Sequence, residues 1–304
     1  MTSTLDQPVK APTFQAVSLR RRLTNNTATV LVTLSVAVAV VPLIWVLYSV
    51  ITKGLGIVLD STWWFNSQAG MTAFMAGGGV YHALVGTVLQ GLFCAVISIP
   101  VGVFVGIYLV EYGGGTKLGK LTTFMVDILT GVPSIVAALF IYALWVATLG
   151  FQRSGFAVSL ALVLLMIPVI VRSTEEMLRI VPMDLREASY ALGVPKWKTI
   201  ARIVIPTALS GIVTGIMLAL ARVMGETAPL LILVGYSQAM NFDMFNGFMG
   251  SLPGMMYDQT SAGAGANPVP TDRLWGAALT LILLIAILNI GARFVAKFFA
   301  PKKI

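Results

Sequence analysis

Cysteine and histidine are nearly absent from this sequence of 304 residues: Cys94 is the single cysteine and His82 the single histidine. One cysteine cannot close a disulfide within the chain, and it cannot supply a metal site that needs several thiolates. With one histidine, we also expect neither a zinc site nor a serine triad built on this chain alone. The sequence therefore predicts a protein without a metal site or a catalytic site.

Charged residues are scarce as well. They make up 11% of the sequence, against roughly 25% in an ordinary soluble domain. Hydrophobic residues account for 57% of the chain, and the mean hydropathy is +0.89. Such a composition is typical of an integral membrane protein, because a soluble chain could not cover that much apolar surface with polar residues.

Long apolar runs decide how often the chain crosses the membrane. A helix needs about 20 apolar residues to span a bilayer, and six stretches approach that length. They lie at about 28–50, 83–110, 122–147, 156–171, 207–234 and 274–298. We therefore predict an all-α membrane protein with six transmembrane helices. Residues 1–27 form an N-terminal tail, 28–50 a first transmembrane anchor, and 81–300 the main transmembrane domain.

The basic residues predict the orientation of these spans, because Lys and Arg favour cytoplasmic loops. The outer loops contain only Lys53, Arg153 and Arg273, whereas nearly all of the other basic residues fall in the two tails and the two inner loops. Both termini are therefore expected in the cytoplasm. The net charge of +8 is explained by this topology and by contact with membrane lipid, so it gives no reason to expect nucleic acid.

The stretch "GGGTKLGKL" is a near miss to a phosphate-binding loop. Gly114, Gly119 and Lys120 satisfy most of the pattern, but Leu121 stands where a magnesium-binding Ser or Thr is required, and a membrane span precedes it instead of a strand. We read it as a flexible cytoplasmic turn whose lysines face water or lipid head groups. The chain is not expected to hydrolyse ATP.

The cytoplasmic loop between spans four and five, residues 173–206, is too long for a simple connection in a compact bundle. Its middle reads as a short helix that Asp184 caps and that Gly193 ends in a left-handed conformation. Pro195 prevents the helix from continuing. The helix has a small, mostly apolar face made of Ala188, Tyr190, Ala191 and Leu192. Such a face below the membrane is expected to dock onto another protein.

This loop carries a family resemblance. Its spacing is similar to the cytoplasmic signature of binding-protein-dependent ABC importer permeases, which is Glu-Ala-Ala, three residues, Gly, nine residues and Ile-x-Leu-Pro. The matching residues are Glu187, Ala188, Ser189, Gly193, Ile203, Ile205 and Pro206, with Ser189 replacing the second Ala and Ile205 replacing Leu. The resemblance implies a type I ABC importer permease fold over residues 81–300. It also implies that residues 184–197 form the coupling helix, with Glu187, Ala188, Ser189, Gly193 and Pro206 as ATPase-coupling residues.

Four further stretches resemble the A-type permease subunit of phosphate-specific ABC importers: "IYLVEYG", "GVPSIV", "IVRSTEEMLRIVP" and "LARVMGETAPLL". This resemblance implies a permease for inorganic phosphate in the cytoplasmic membrane of a prokaryote. The implied partners are a related C-type permease subunit in a heterodimer, a dimeric ATP-binding subunit and an extracytoplasmic phosphate-binding protein. ATP and Mg would bind to the ATPase, and this chain would carry no cofactor.

Two charge pairs lie in the predicted spans. A charge in mid-membrane costs about 3 kcal/mol on insertion scales, so Arg222 must face protein or water. Glu226 is one helical turn away and can neutralise it, while Pro229 permits a kink beside the pair. Arg172 and Glu175 form a second pair if the fourth helix continues. In the family resembled, the positions matching Arg172, Glu175, Arg222 and Glu226 are implicated in the translocation path.

Other interpretations remain open from the sequence. The pair of Arg172 and Glu175 could be an interfacial ion pair, and that of Arg222 and Glu226 could be a structural bridge between helices. A permease of the same superfamily for another oxyanion or small solute would keep the coupling loop without both charge pairs. A proton-coupled secondary transporter could use Glu226, but it would leave the coupling motif unexplained.

Overall fold

The computed structural model describes residues 18–299, with side chains described as far as Phe294. The first part of the predicted N-terminal tail, residues 1–17, and residues 300–304 lie outside the described residues. The described residues form helices and loops, with one isolated bridge between Ala264 and Asn267 as their only strand-like pairing. This confirms the predicted all-α class. The chain divides into two units, residues 1–49 and 50–304.

The first unit contains most of helix α1. This helix runs over Leu19–Val58 and is 40 residues long, so the first predicted span lies inside a longer helix that begins earlier than expected. Residues 19–48 are exposed along their whole length. Since the exposed side chains are mainly Val, Leu and Ile, this helix must be covered by lipid or by another protein.

The second unit contains the remaining helices. α2 is Ser61–Phe65, α3 Tyr81–Glu111, α4 Lys117–Gly131, α5 Ser134–Ile141, α6 Gly155–Ile180, α7 Met183–Ala191, α8 Lys196–Thr199, α9 Ile205–Met224, α10 Ala228–Leu233, α11 Leu252–Ser261 and α12 Pro268–Phe299. Wider π-helical turns extend α5 over Tyr142–Thr148 and join α8 to α9 over Ile200–Val204. The α11 helix lies between α10 and α12 and was not predicted.

Five stretches of described helix are long and apolar enough to cross a membrane: Leu19–Val58, Tyr81–Glu111, Gly155–Ile180, Lys196–Met224 and Pro268–Phe294. The third predicted span is different, because Lys117–Gly131 and Ser134–Thr148 meet at a bend of 106°. Val132 is extended before Pro133, which has no N–H to continue the helix. The bent pair gives six spans if it is counted as one, and the bend at residues 132–133 is a feature that the apolar run did not predict.

The fifth predicted span is also interrupted. α9 ends at Met224, and α10 begins at Ala228 with Pro229 in its first turn. The break at Gly225, Glu226 and Thr227 confirms the expected disturbance beside Pro229, since proline cannot donate to the carbonyl four residues earlier. The predicted span over 207–234 therefore consists of two helices, and backbone groups at the break are left without helical hydrogen-bond partners.

The core is built where α3, α6 and α9 pack closely. A Cβ atom added at Gly106 would lie 2.8 Å from Cβ of Thr174, and one at Gly102 would lie 2.7 Å from Cβ of Ile170. A Cβ at Gly215 of α9 would likewise lie 2.3 Å from Oγ of Ser173. Because glycines allow these backbones to approach, α6 packs tightly against both α3 and α9.

The α3–α6 contact predicts a measurable difference between two glycines. Gly106→Ala should destabilise the protein by about 1–3 kcal/mol, because the new methyl group would overlap Thr174. Gly131→Ala should be neutral or slightly stabilising, since a Cβ there meets nothing within 4 Å. Thermal unfolding of the purified protein in one detergent checks this. Equal melting temperatures for the two variants would contradict the proposed close packing.

Candidate functional site

The predicted pair of Arg172 and Glu175 is formed on α6, which continues unbroken to Ile180. Nη1 of Arg172 donates to Oε2 of Glu175 over 2.7 Å, and Nη2 of Arg179 donates to Oε1 of the same carboxylate over 2.5 Å. The Glu175 side chain is only 8% exposed. One buried carboxylate on a regular helix therefore fixes two arginines, at spacings of three and four residues.

Asp127 joins this group from a different helix. It lies on α4 and accepts a hydrogen bond from Nη2 of Arg172. Its side chain is 60% exposed, whereas that of Arg172 is 29% exposed. No local sequence pattern links Asp127 to Arg172, because the two residues lie 45 positions apart on different helices. Asp127, Arg172, Glu175 and Arg179 together form what we term the inner charge cluster.

The inner charge cluster has equal numbers of positive and negative groups. It borders an open pocket of about 360 Å³, which is also lined by Lys120 and Thr123 of α4. The first four residues of "GGGTKLGKL" form the turn before α4, and the last five begin that helix. Oγ1 of Thr116 caps α4 by accepting from the N–H of Gly119 over 2.9 Å. The glycine-rich stretch thus forms a turn that leads into α4, and its Lys120 lines the pocket.

The second predicted pair is not formed. Arg222 lies in the last turn of α9 and is exposed, while Glu226 is half-buried in the break after that helix. In the part of the chain that the structure describes, the ion pairs involve Arg172, Arg179 and Arg186 only. The N–H of Glu226 bonds to the carbonyl of Val223, so Glu226 is no longer one helical turn beyond Arg222. The predicted intrahelical pairing is wrong because the helix ends too early.

Arg222 lies at a different depth from the inner charge cluster. Gly211 of α9 packs beside Met177 and Gly215 beside Ser173, so the two helices run antiparallel. Arg222 comes seven residues after Gly215, which places it about 10 Å farther along the helix axis than Arg172. The chain therefore presents arginines at two levels along one helix pair, and the structure does not unite them in a single cluster.

The loop predicted to contain the coupling helix forms the helix α7, Met183–Ala191, and the end of this helix agrees with expectation. A single helix over residues 184–197 is wrong, because residues 192–195 are non-helical and Trp197 belongs to α8. Gly193 has a φ of +75°, the left-handed conformation that favours glycine. Its beginning differs, because Pro182 occupies the cap position and no side-chain hydrogen bond caps the helix. Asp184 lies in the first turn and is not the cap.

One face of α7 and α8 is exposed. Leu192 is 83% exposed and Trp197 is 65% exposed. The other exposed residues of this face include Glu187, Ala188, Tyr190 and Ala191. Ser189 points inward instead, where its hydroxyl lies 2.8 Å from that of Thr199 and both residues are buried. Pro206 lies in the first turn of α9. Ser189 and Pro206 therefore contribute to the folding of the loop and are not part of its exposed face.

A group of buried polar side chains lies at the N-terminal end of α3. Nε2 of His82 lies 2.8 Å from the hydroxyl of Tyr236, which donates to Oε1 of Gln68 over 3.3 Å. Burial raises the pKa of Tyr236 above its usual value. Nε2 of Gln259 donates to the same Gln68 oxygen over 3.4 Å. These contacts connect the segment before α3, the start of α3 and α11, and no local sequence pattern predicts them, because the residues are far apart in the chain.

Comparison with known proteins identifies the family. Residues 98–304 match the family model described as "Binding-protein-dependent transport system inner membrane component". The chain belongs to this family of permeases. The permease is 56% identical over 297 residues to "Phosphate transport system permease protein PstA 1" of Mycobacterium tuberculosis, covering 96% of this chain and 94% of that one.

Other relatives agree. The permease is 54% identical over 303 residues to a phosphate transport system permease protein PstA of Mycobacterium leprae, covering 99% of this chain and 97% of the relative. It is 39% identical over 286 residues to PstA of Yersinia pestis, covering 93% and 92%. Among solved structures, an inward-facing MetNI methionine ABC transporter matches with a TM-score of 0.56 and 21% identity, over 73% of this chain and 95% of that one. This likeness confirms the predicted type I ABC importer permease fold.

Proposed function

We propose that this permease is the A-type membrane subunit of an ATP-driven importer for inorganic phosphate. The observation that carries the proposal is the identity of 54–56% over nearly the whole chain to relatives named as phosphate transport system permeases. The coupling-loop spacing supports the ATP-driven mechanism. The arginines placed along α6 and α9 support an anionic substrate, because a charged residue in a span is costly unless it has a function or a partner.

Arginine suits phosphate because its planar fork offers two parallel charge-assisted hydrogen bonds. In the inner charge cluster, both ends of the Arg172 fork are engaged by carboxylates, Glu175 on one nitrogen and Asp127 on the other. Glu175 is buried and held by two arginines, whereas Asp127 is largely exposed. We therefore assign Glu175 to orienting Arg172, and Asp127 to a contact that phosphate oxygens replace during passage.

Arg222 is assigned to the same path at the level nearer the outer side. Its side chain is exposed on the isolated subunit, although a lipid-facing guanidinium would be strongly unfavourable. A second, related permease subunit of the C type would cover this face and leave Arg222 beside a water-filled path between the two subunits. Glu226, half-buried in the helix break, would then lie near the path and limit how tightly an anion is held.

The other partners are assigned to the two ends of the permease. The exposed face of α7 and α8, with Leu192 and Trp197, would dock into a dimeric ATPase that binds ATP and Mg in the cytoplasm. A phosphate-binding protein would deliver substrate outside, and both termini would lie in the cytoplasm. ATP-bound and ATP-free ATPase must favour different permease states, since a partner that binds both states equally moves nothing.

Reconstitution tests this function directly. The complete complex in proteoliposomes, with ATPase and binding protein, should take up radiolabelled phosphate only when ATP and Mg are present. Excess sulfate or molybdate should not compete, while unlabelled phosphate should. Uptake of sulfate or molybdate in preference to phosphate would overturn the substrate, and uptake that is driven by a proton gradient without ATP would overturn the mechanism.

Glu175 gives a specific prediction for this path. Glu175→Gln should lower the maximal uptake rate severalfold, because Arg172 loses the contact that orients it and the cluster gains a net positive charge that retains phosphate. The free energy of unfolding should fall by only about 1 kcal/mol, since Arg172 and Arg179 both remain accessible to water. The matched control is Glu176→Gln at the next, exposed position, which should transport normally. Equal uptake by both variants would contradict the role of Glu175.

A further inference from the structure

A buried ion pair joins the inner end of α3 to the coupling helix. Glu111 is the last residue of α3, and its carboxylate accepts a hydrogen bond from Nη1 of Arg186 on α7. The two side chains are 4% and 9% exposed. They are separated by 75 positions in the sequence, and neither belongs to the inner charge cluster or to the exposed face of α7.

The same pair reaches two more segments. Nη2 of Arg186 donates to the carbonyl of Leu178 over 2.9 Å, in the last turn of α6. Nζ of Lys196, the first residue of α8, donates to the main-chain carbonyl of Glu111 and lies 4.8 Å from the ring centre of Tyr112. These cations satisfy carbonyl groups at helix C-termini, where positive charge is favourable. Arg186 and Lys196 thus tie the ends of α3 and α6 to α7 and α8, with Glu111 accepting through both its carboxylate and its main-chain carbonyl.

The chemistry of the pair indicates a positioning role. A carboxylate at a helix C-terminus is opposed by the helix dipole, and its burial is costly unless a cation accompanies it. Apolar residues could fill the same space at lower cost, but they would not fix one orientation of α7. Arg186 and Ser189, three residues apart, both face inward. They therefore turn Glu187, Ala188 and Tyr190 outward.

The ion pair of Glu111 and Arg186 is connected to the membrane domain through the packing of α3 against α6. α3 packs against α6 with almost no space at Gly102 and Gly106, so the two helices must shift together. α6 carries Arg172 and Glu175 of the inner charge cluster. A displacement of α7 therefore moves α3 and α6 together. Because α6 carries Arg172, the displacement also moves this arginine on the proposed path.

We propose that Glu111 and Arg186 are positioning residues that transmit movement of the coupling helix to α3 and α6. The proposal rests on the proposed ATP-driven import and adds a route by which ATP hydrolysis reaches the substrate path. Without this ion pair, the ATPase would still bind α7 and hydrolyse ATP, but α7 would move without displacing α3 and α6.

The first test is the amount of phosphate taken up per ATP hydrolysed by the complete complex in proteoliposomes. For Glu111→Gln, this ratio should fall by about tenfold, within the range usual for coupling between sites, while ATP hydrolysis continues. Glu176→Gln, which neutralises an exposed carboxylate, should keep the ratio of the unmodified protein. An unchanged ratio for Glu111→Gln in a complex that does import phosphate would overturn the transmitting role alone. Absence of phosphate import by the unmodified complex would overturn the proposed function.

A covalent replacement separates transmission from stability. In a Cys94→Ala background, which removes the single native thiol, the double variant Glu111→Cys with Arg186→Cys should be poorly coupled. Joining the two new thiols with a short bifunctional reagent should restore uptake per ATP, because the link supplies the lost tie. Should Glu111→Gln fail to assemble, this variant decides the matter. A verified cross-link that leaves uptake per ATP low would overturn the proposal.

Discussion

Arg222→Ala should nearly abolish phosphate uptake while the permease complex still assembles and hydrolyses ATP. A hydrogen bond to a charged group is worth about 1.5–3 kcal/mol, so uptake should fall by about tenfold to a hundredfold. The protein should remain folded, because Arg222 is exposed and the described ion pairs of the subunit do not include it. Initial rates of radiolabelled phosphate uptake, with ATPase activity measured in the same proteoliposomes, provide the check.

Two companion variants define what Arg222 does. Arg222→Lys keeps the charge but replaces the planar fork with a point charge, so it should reduce uptake less than Arg222→Ala does. The double variant Arg222→Ala with Glu226→Ala removes both charges and supplies no phosphate ligand. Stable protein without uptake in the double variant supports the substrate role. Normal uptake in the double variant would show that Arg222 only compensates Glu226.

Gly193→Val should disconnect ATP hydrolysis from transport. The φ of +75° at Gly193 is strongly unfavourable for a β-branched residue, at about 1–2 kcal/mol. A Cβ there would meet nothing within 4 Å, so the effect comes from the backbone and not from a clash. The turn after α7 should then rearrange and misplace the exposed face that carries Leu192. We expect phosphate uptake per ATP to fall while membrane insertion is unaffected.

The control for this backbone effect is Gly291→Val on α12. A Cβ at Gly291 also meets nothing within 4 Å, but its backbone is helical and suits an ordinary residue. The two variants therefore add the same side chain in open space and differ in φ. Co-purification of the ATPase and uptake per ATP should be normal for Gly291→Val. A Gly193→Val complex that transports at the normal ratio would refute the importance of the left-handed turn.

Features set by neighbouring residues were predictable. The helix α7 is followed by a left-handed turn at Gly193 as expected, because such a turn depends on one residue and the helix beside it. The pair of Arg172 and Glu175 forms because both residues lie on one continuous helix. The pair of Arg222 and Glu226 was predicted by the same rule and is absent, since that rule assumes a helix that here stops at Met224. Pro229 signalled the disturbance but not its extent.

The sequence by itself determined that this is an all-α membrane protein with several spans and a long loop before α9, because apolar length and residue spacing act within short segments. Only the tertiary structure decided which charges meet. Asp127 reaches Arg172 across 45 positions, and Glu111 reaches Arg186 across 75. Such contacts depend on how α4 bends before α5, how closely glycines let α3 approach α6, and where α7 turns back. Those are properties of packed helices, so no local pattern of residues encodes them.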